Sequence, residues 1–257
     1  MNLRAILLKC LFIALLLPVV VAVKAQSVDP AILNKQWKAR WIGVPGEDDK
    51  AYGVYYFRKQ VQLAAKPASL VIHVSADNRY KLFVNEKLVS LGPARGDITH
   101  WNYETIDIAP YVVAGKNTVA AQVWNEGDWR PEAQISLKTG FIIQGADTDA
   151  EILNTDISWK CTRDTSYKPL ALTTPNYHVA GSGELVDMKA NVRGWEKKDF
   201  NDEGWKAAKF LSYGIPKNIN GEDVSTNAWL LIPSIIPPME LTYQRLSKVR
   251  RHSANIK

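Results

Sequence analysis

Oxygen-bearing side chains stand at the ends of two apolar stretches of this chain. Asp77 and Asn78 follow the stretch at 69–76, and Asn125 follows the stretch at 118–124. Carboxylate and amide oxygens are ligands that Ca²⁺ prefers, so loops that brought these three side chains together would provide a calcium site. The same residue types also cap turns through hydrogen bonds to the backbone. The residues alone therefore leave a calcium site and a turn-capping role open.

Trp129 and the neighbouring Arg130 lie in a polar loop close to Asn125 in the sequence. An indole ring in a polar loop is less easily explained as core than one inside a strand, and it can stack on the apolar face of a sugar ring. Arg95 can donate hydrogen bonds to such a ligand, or it can pair with the nearby Asp97. The residues that we predict to contact a sugar are Trp129, Arg130, Trp101 and Arg95.

The acidic residues do not predict a catalytic centre. Two carboxylates about 5–10 Å apart can act as acid and base on a glycosidic bond. The acidic clusters instead lie beside Gly, Pro, Thr or Asn, where acids commonly solvate turns; they are Asp48 with Asp49, Asp147 with Asp149, and Asp202 with Glu203. Cys161 is the one cysteine after residue 25, and we expect a packed thiol rather than a nucleophile. We therefore assign no catalytic residue to the chain.

Short β-strands are the elements that must position these side chains. Apolar and β-branched residues predict strands at 54–63, 69–76, 80–84, 88–91, 118–124 and 140–145. The polar residues 85–87 predict a hairpin between the third and fourth of them. After the first 25 residues, no stretch has a sustained 3.6-residue apolar period. The pattern therefore favours an all-β sandwich or jelly roll.

Positive charge is concentrated at the two ends of the chain. Residues 1–25 and 245–257 carry eight basic residues and no acidic residue, which exceeds the net charge of +6, so the residues between them carry a net charge of −2. Nucleic-acid binding needs a basic face on the folded domain. We therefore expect no nucleic-acid partner.

The first 25 residues have the pattern of a secretory signal peptide. Basic residues precede an uncharged run at 10–23, which is shorter than the roughly 20 apolar residues of a transmembrane helix. Small residues then mark a cleavage position before Gln26. We predict removal of 1–25, export to the periplasm or the extracellular space, and no membrane association afterwards; an uncleaved anchor is the alternative.

Eight segments form an ordered series of aromatic, basic and turn residues. They are 37–43 (WKARWIG), 56–59 (YFRK), 76–85 (ADNRYKLFVN), 92–97 (GPARGD), 101–103 (WNY), 107–108 (DI), 115–119 (GKNTV) and 200–208 (FNDEGWKAA). In this order they resemble the N-terminal β-sandwich region of family 78 glycoside hydrolases, the bacterial α-L-rhamnosidases. The resemblance extends over about residues 36–240, and the segment 92–97 with the following Trp and Tyr is its most specific part.

The resemblance implies a domain organisation and a ligand set. It implies a galactose-binding-like sandwich over 36–240, with a core at 36–160 and a closing segment at 194–240. Between them, polar residues with Pro and Gly and without clear strand patterns predict a long irregular excursion at about 162–193. Residues 241–257 then form a basic tail or a truncated linker. Related rhamnose-binding modules hold calcium with an Asp–Asn pair, a distant Asn and a proline carbonyl. The matching residues of this chain are Asp77, Asn78, Asn125 and Pro131.

The resemblance also implies a function. Rhamnosidases of this family carry their general acid and base on a large (α/α)-barrel after the sandwich, and no helical repeat follows here. We therefore expect a non-catalytic carbohydrate-associated module whose partner is a rhamnose-containing glycan or a rhamnosidase barrel. The alternatives are an α-L-rhamnosidase that acts with a separately encoded barrel, and an interaction module that binds no sugar.

Overall fold

The computed structural model describes residues 30–171, 181–219 and 228–237, and nearly all regular structure in them is β. The helical elements are α1 (Pro30–Asn34) and the 3-10 turns Ala109–Tyr111, Gly127–Trp129 and Ala150–Leu153. The strands are β1 (Arg40–Gly43), β2 (Gly53–Leu63), β3 (Val71–Asp77), β4 (Arg79–Val84), β5 (Lys87–Gly92), β6 (Trp101–Asp107), β7 (Gly115–Asn125), β8 (Gly140–Gly145), β9 (Lys160–Asp164), β10 (Tyr167–Pro169), β11 (Glu184–Val186), β12 (Lys206–Ala207), β13 (Lys209–Tyr213), β14 (Ile215–Pro216) and β15 (Leu230–Pro233). Within these described residues, no helix has the length and apolar character needed to cross a membrane.

Two sheets pack against each other as a sandwich. One has the strand order β13-β1-β8-β3-β6-β15-β14, and the other has the order β12-β9-β2-β7-β4-β5. Because side chains alternate between the two faces of a strand, Val119, Ala121 and Val123 of β7 enter the same buried core as Ile72 and Val74 of β3. The all-β sandwich predicted from the sequence is confirmed, and each of the six predicted strands is present.

The predicted hairpin joins β4 and β5 through a two-residue loop. Asn85 and Glu86 both have positive φ, at 47° and 70°, as the tightest hairpin turns require. Asn tolerates this conformation better than most residues, and its side chain is fixed on both sides. Its Nδ2 donates to the Tyr111 carbonyl at 2.9 Å, and its Oδ1 accepts from the Thr118 amide at 3.0 Å. The loop is therefore tied to the start of β7.

Aromatic residues cover the outer face of the seven-stranded sheet. Trp41 and Trp229 stack with their ring centroids 4.1 Å apart, and Trp101 meets Trp229 edge-on at 6.4 Å. Burying such rings removes a large apolar area from water. Trp41 is a packing anchor of this layer, since its exposed fraction is 0%.

A segment at 187–205, here called the cap, covers part of the outer face of the six-stranded sheet. Trp195 stacks on Tyr56 of β2 with a centroid distance of 4.3 Å, and its ring meets Phe83 of β4 edge-on. Buried Arg58 of β2 donates through Nε to the Trp195 carbonyl at 3.2 Å and forms an ion pair with Asp202. The cap leaves the far ends of β4 and β7 uncovered.

The stretch predicted to be irregular, 162–193, contains more regular structure than expected. β9 extends into it and pairs with β2, and β10 and β11 form a separate two-stranded ladder. These strands are only three to five residues long, too short for apolar alternation to stand out. The predicted signal peptide at 1–25 and the predicted tail at 241–257 lie outside the described residues.

Candidate functional site

The uncovered part of the six-stranded sheet centres on Trp124. Its strand neighbour Val123 points into the core with an exposed fraction of 0%, so Trp124 points to the opposite, outer face. There it is partly exposed. The register places Val54 of β2 on one side of it and Arg79 of β4 on the other. The sheet therefore presents an indole between a small apolar residue and a cation.

Two adjoining recesses meet at this indole, and together they are called the Trp124 groove. Their volumes are about 330 Å³ and about 390 Å³, and both are bordered by Trp124 and Lys81. The first recess is bordered further by Arg79, Arg95, Glu104 and Ile236, and the second by Gln122, Glu126, Tyr167 and Glu184. An aromatic floor with convergent polar groups is the usual composition of a small-ligand site.

The first recess carries mainly positive charge. The Lys81 ammonium lies 5.9 Å from the centroid of the Trp124 ring, within the range of a cation–π contact. Burial, followed by repulsion from Arg95, lowers the pKa of the Arg79 guanidinium. Burial raises the pKa of Glu126, whereas Arg79 and Arg95 oppose that rise. These three charged groups therefore interact with one another beside the indole.

Asp77 is held in a dense set of hydrogen bonds rather than exposed in a loop. Its exposed fraction is 0%. Five donors point at its two carboxylate oxygens; they are Asn78 Nδ2 at 2.7 Å, Ser136 Oγ at 2.8 Å, Leu137 N at 2.7 Å, Lys138 N at 3.2 Å and Trp229 Nε1 at 3.1 Å. Burial raises the pKa of this carboxyl, and the hydrogen bonds from Leu137, Ser136, Asn78 and Trp229 oppose the rise. The carboxylate thus joins loop 136–138 and Trp229 to the end of β3.

Asn78 and Asn125 extend the same network to the groove. Asn78 accepts from the Glu126 amide at Oδ1, at 2.9 Å, and donates its own backbone N–H to the Trp124 carbonyl at 3.2 Å. Asn125 accepts from the Gly127 amide at 2.8 Å. The Asp–Asn pair and the distant Asn, predicted to be near each other, do lie together. Their hydrogen bonds fix the backbone that carries Trp124 and Glu126.

The predicted calcium ligands are engaged in hydrogen bonds within the protein. The side-chain oxygens of Asp77, Asn78 and Asn125 all accept hydrogen bonds from the protein, and the Pro131 carbonyl accepts one from the Gln134 amide at 2.9 Å. Calcium takes six to eight oxygen ligands, and protein donors already occupy part of the lone-pair capacity of these oxygens. Across the described ranges, no three His, Cys, Asp or Glu side chains are grouped to hold a metal.

We accordingly expect the thermal stability of the protein to be independent of calcium. A site with a dissociation constant of about 10 μM would contribute roughly 2.7 kcal/mol at about 1 mM calcium, and such a gain raises Tm by several degrees. The measurement compares Tm in excess EDTA with Tm in millimolar CaCl₂, with MgCl₂ as the control. A calcium-specific rise of several degrees would contradict the hydrogen-bonding role given to Asp77.

The sugar-contact residues predicted from the sequence fall in different places. Arg95 borders the Trp124 groove. Trp129 is partly exposed in its 3-10 turn but borders neither recess. Arg130 donates to the Gly127 carbonyl at 2.8 Å and borders, with Pro131, a separate recess of about 340 Å³.

The prediction for Trp101 needs correction, because its exposed fraction is only 3%. It packs in the aromatic layer outside the seven-stranded sheet, where no ligand ring can stack on it. Its place at the start of a strand, rather than in the polar loop before it, explains the difference.

Arg95 does not pair with Asp97, whose carboxylate instead accepts from Thr99 and His100. The hydrogen bond from Thr99 is the main cause that lowers the pKa of Asp97 to about 2.

The acidic clusters and the cysteine have structural partners. Asp49 pairs with Lys209 at 2.6 Å, and Asp147 accepts from the Ala150 amide at 2.9 Å. Asp202 binds both Arg58 and Lys160. Cys161 is buried, and burial raises its thiol pKa to about 12. Because the thiolate is the reactive form of cysteine, Cys161 is a packed thiol, as expected.

Comparisons with known proteins relate the chain to the N-terminal domain of alpha-L-rhamnosidases. The family model of the alpha-L-rhamnosidase N-terminal domain matches residues 65–228, well over half of the chain. An alpha-L-rhamnosidase of Formosa agariphila is 22% identical over 207 residues, which are 72% of this chain and 22% of that protein. An alpha-L-rhamnosidase of Streptomyces avermitilis is 24% identical over 196 residues, 68% of this chain and 16% of that protein. The chain thus spans about a fifth of the length of these relatives.

A solved structure shares the fold. The crystal structure of the GH78 family rhamnosidase of Bacillus sp. GL1 superposes with a TM-score of 0.65 at 24% identity, covering 80% of this chain and 20% of that one. At this level of identity the likeness is one of fold.

Proposed function

Because this chain belongs to the family of α-L-rhamnosidase N-terminal domains, we propose that it is a non-catalytic module that binds a rhamnose-containing glycan in the Trp124 groove. The observation that carries the proposal is an outward-facing, partly exposed indole flanked by charged and amide side chains. A sugar ring offers apolar C–H groups on its face and hydroxyls at its edge. The indole stacks on the face, and the side chains around it bond the hydroxyls.

The groove supplies both donors and acceptors for the hydroxyl groups. Gln122 beneath the second recess offers an amide, and Tyr167 offers a phenol whose oxygen lies 3.5 Å from the Gln122 Nε2. Glu184 offers a carboxylate, which accepts a hydrogen bond from the Tyr52 hydroxyl at 3.3 Å. A few convergent polar groups of this kind fix the orientation of a ligand and provide specificity.

Two further parts of the proposal follow from family membership. The module delivers or orients substrate for an (α/α)-barrel that performs the hydrolysis, whether on the same polypeptide or on a partner. It works in the periplasm or outside the cell after removal of residues 1–25, in keeping with the glycan as an extracellular ligand.

Removal of the indole tests the proposal. Loss of about 60 Å² of apolar contact at roughly 25 cal/mol per Å² costs about 1.5 kcal/mol, or about tenfold in affinity. We expect Trp124→Ala to weaken binding of rhamnose oligosaccharides at least tenfold in isothermal titration calorimetry. The matched control is Trp129→Ala, which removes another partly exposed indole outside the groove and is expected to leave affinity within twofold.

Two outcomes would contradict the proposal. Loss of binding in Trp129→Ala with full binding in Trp124→Ala would move the site to the 3-10 turn. Failure of the unmodified protein to bind any rhamnose oligosaccharide would favour a module that contacts only protein.

A further inference from the structure

Two arginine side chains in the first recess are without a direct ion-pair partner among the described residues. Arg79 is half-buried and Arg95 is exposed. No hydrogen bond or ion pair to a described residue is recorded for either guanidinium, although each influences Glu126 through its charge. A guanidinium carries five N–H donors. These donors are thus left for solvent or for a ligand.

The positive charge of the first recess is only partly balanced by the protein. Lys81 adds a third cation, and Glu104 is the single carboxylate that borders this recess. The Glu104 oxygen Oε1 already accepts from the Ala94 amide at 3.0 Å, and burial raises the pKa of its carboxyl. Keeping two repelling guanidinium groups beside each other in a partly buried recess is unfavourable. An anion between them would relieve that repulsion.

Arginine has the geometry to bind such an anion. Its planar fork donates two parallel hydrogen bonds to a carboxylate or to an oxyanion of similar shape. Arg79 stands beside Trp124 in the register of the sheet. An anionic group bound by Arg79 is therefore next to any ring that stacks on the indole.

We propose that the glycan in the Trp124 groove is acidic, with a carboxylate or a sulfate ester held by Arg79 and Arg95 while the ring next to it stacks on Trp124. This inference rests on the proposed glycan-binding function and names its ligand class. The Lys81 ammonium adds to the positive electrostatic potential where the anionic group binds. Glu126 offsets part of the positive charge of the two arginines.

Three disaccharides separate the possible ligands. The probes are a glucuronosyl-rhamnose disaccharide, the glucosyl-rhamnose disaccharide with the same linkage, and a sulfated rhamnose disaccharide. We expect at least one of the two acidic probes to bind about tenfold or more tightly than the neutral one, since charge-assisted hydrogen bonds are roughly twice as strong as neutral ones. The acidic probe that binds tighter identifies the anionic group. The advantage should shrink in 0.5 M NaCl because salt screens the exposed Arg95.

Substitution of each arginine tests whether the tighter binding of the acidic probe comes from the first recess. Arg79→Met and Arg95→Met should each reduce the ratio of acidic to neutral affinity by about fivefold or more. Arg95 is exposed, so its variant keeps the test valid if the Arg79 variant folds poorly. The control is Lys116→Met, which removes an exposed cation from the other end of β7, about 27 Å away along the strand; its ratio should equal that of the unmodified protein.

The outcomes distinguish this inference from the function on which it rests. Equal affinity for acidic and neutral probes, with tenfold loss of both in Trp124→Ala, would overturn the acidic ligand and leave glycan binding in place. Binding of none of the probes would overturn both. If both arginine variants still bind the acidic probe more tightly than the neutral probe, and salt still weakens that difference, the anion site lies elsewhere and the inference is overturned.

Discussion

Replacement of Asp77 by alanine is expected to lower the free energy of unfolding by about 3–5 kcal/mol. The side chain is buried, and its two oxygens accept hydrogen bonds from five residues, one of which is the neighbouring Asn78. A buried donor left without an acceptor costs roughly 1–3 kcal/mol. Entry of water into the space left by the carboxylate would satisfy some of the donors, so the total falls below the sum of five separate losses.

Urea unfolding followed by far-ultraviolet circular dichroism measures this loss. The matched control is Asp107→Ala in the same sheet, where a half-buried carboxylate accepts from the Leu70 and Ala109 amides, each at 2.9 Å. That variant should lose about 1 kcal/mol, as does a typical cap. Equal losses in the two variants would mean that the Asp77 network has no special role in the fold.

Replacement of Arg58 by methionine is expected to cost about 3 kcal/mol and to release the cap. Arg58 has an exposed fraction of 1% and donates to the carbonyls of Trp195 and Lys197, the second at 2.7 Å, besides its ion pair with Asp202. Breaking a buried ion pair from one side typically costs about 3–5 kcal/mol. Asp202 keeps Lys160 as a partner at 2.9 Å, which places the expected loss at the lower end.

Urea unfolding measures the loss of stability, and limited proteolysis measures the release of the cap. Gln60→Met is the control, since exposed Gln60 on the same strand also donates to the cap, to the Lys198 carbonyl at 2.6 Å. Surface contacts of this kind change stability by about 0.5 kcal/mol or less. Cleavage within 187–205 should accelerate in Arg58→Met alone; similar behaviour of the two variants would contradict the anchoring role of Arg58.

The sandwich is predictable from the sequence where strands are long or alternate clearly. β2 and β7 are each 11 residues long, β4 alternates between buried and more exposed residues, and the polar pair after β4 marks the hairpin. β12 and β14 are each two residues long, and their pairing is decided by partners that are distant in the sequence. Such short strands carry too few residues for a period-two signal.

The candidate site was only partly predictable, for two physical reasons. An aromatic residue inside a strand is usually core, which favoured Trp129 over Trp124; yet Val119, Ala121 and Val123 already occupy the inner face of β7, and alternation then sends Trp124 outward. The sequence marks Asp77 as a candidate site residue, but the donors to its carboxylate include Trp229, 152 residues away. Local sequence cannot distinguish a carboxylate that accepts from such distant donors from one that binds a metal.

The indole N–H resonances of the nine tryptophans provide the most direct test of glycan binding at Trp124. In ¹⁵N-labelled protein titrated with a rhamnose-containing oligosaccharide, with signals assigned through single Trp→Phe variants, the Trp124 resonance should move most. The Trp129 and Trp41 resonances should stay in place. A titration that moves the Trp129 signal while the Trp124 signal remains unchanged would contradict the account.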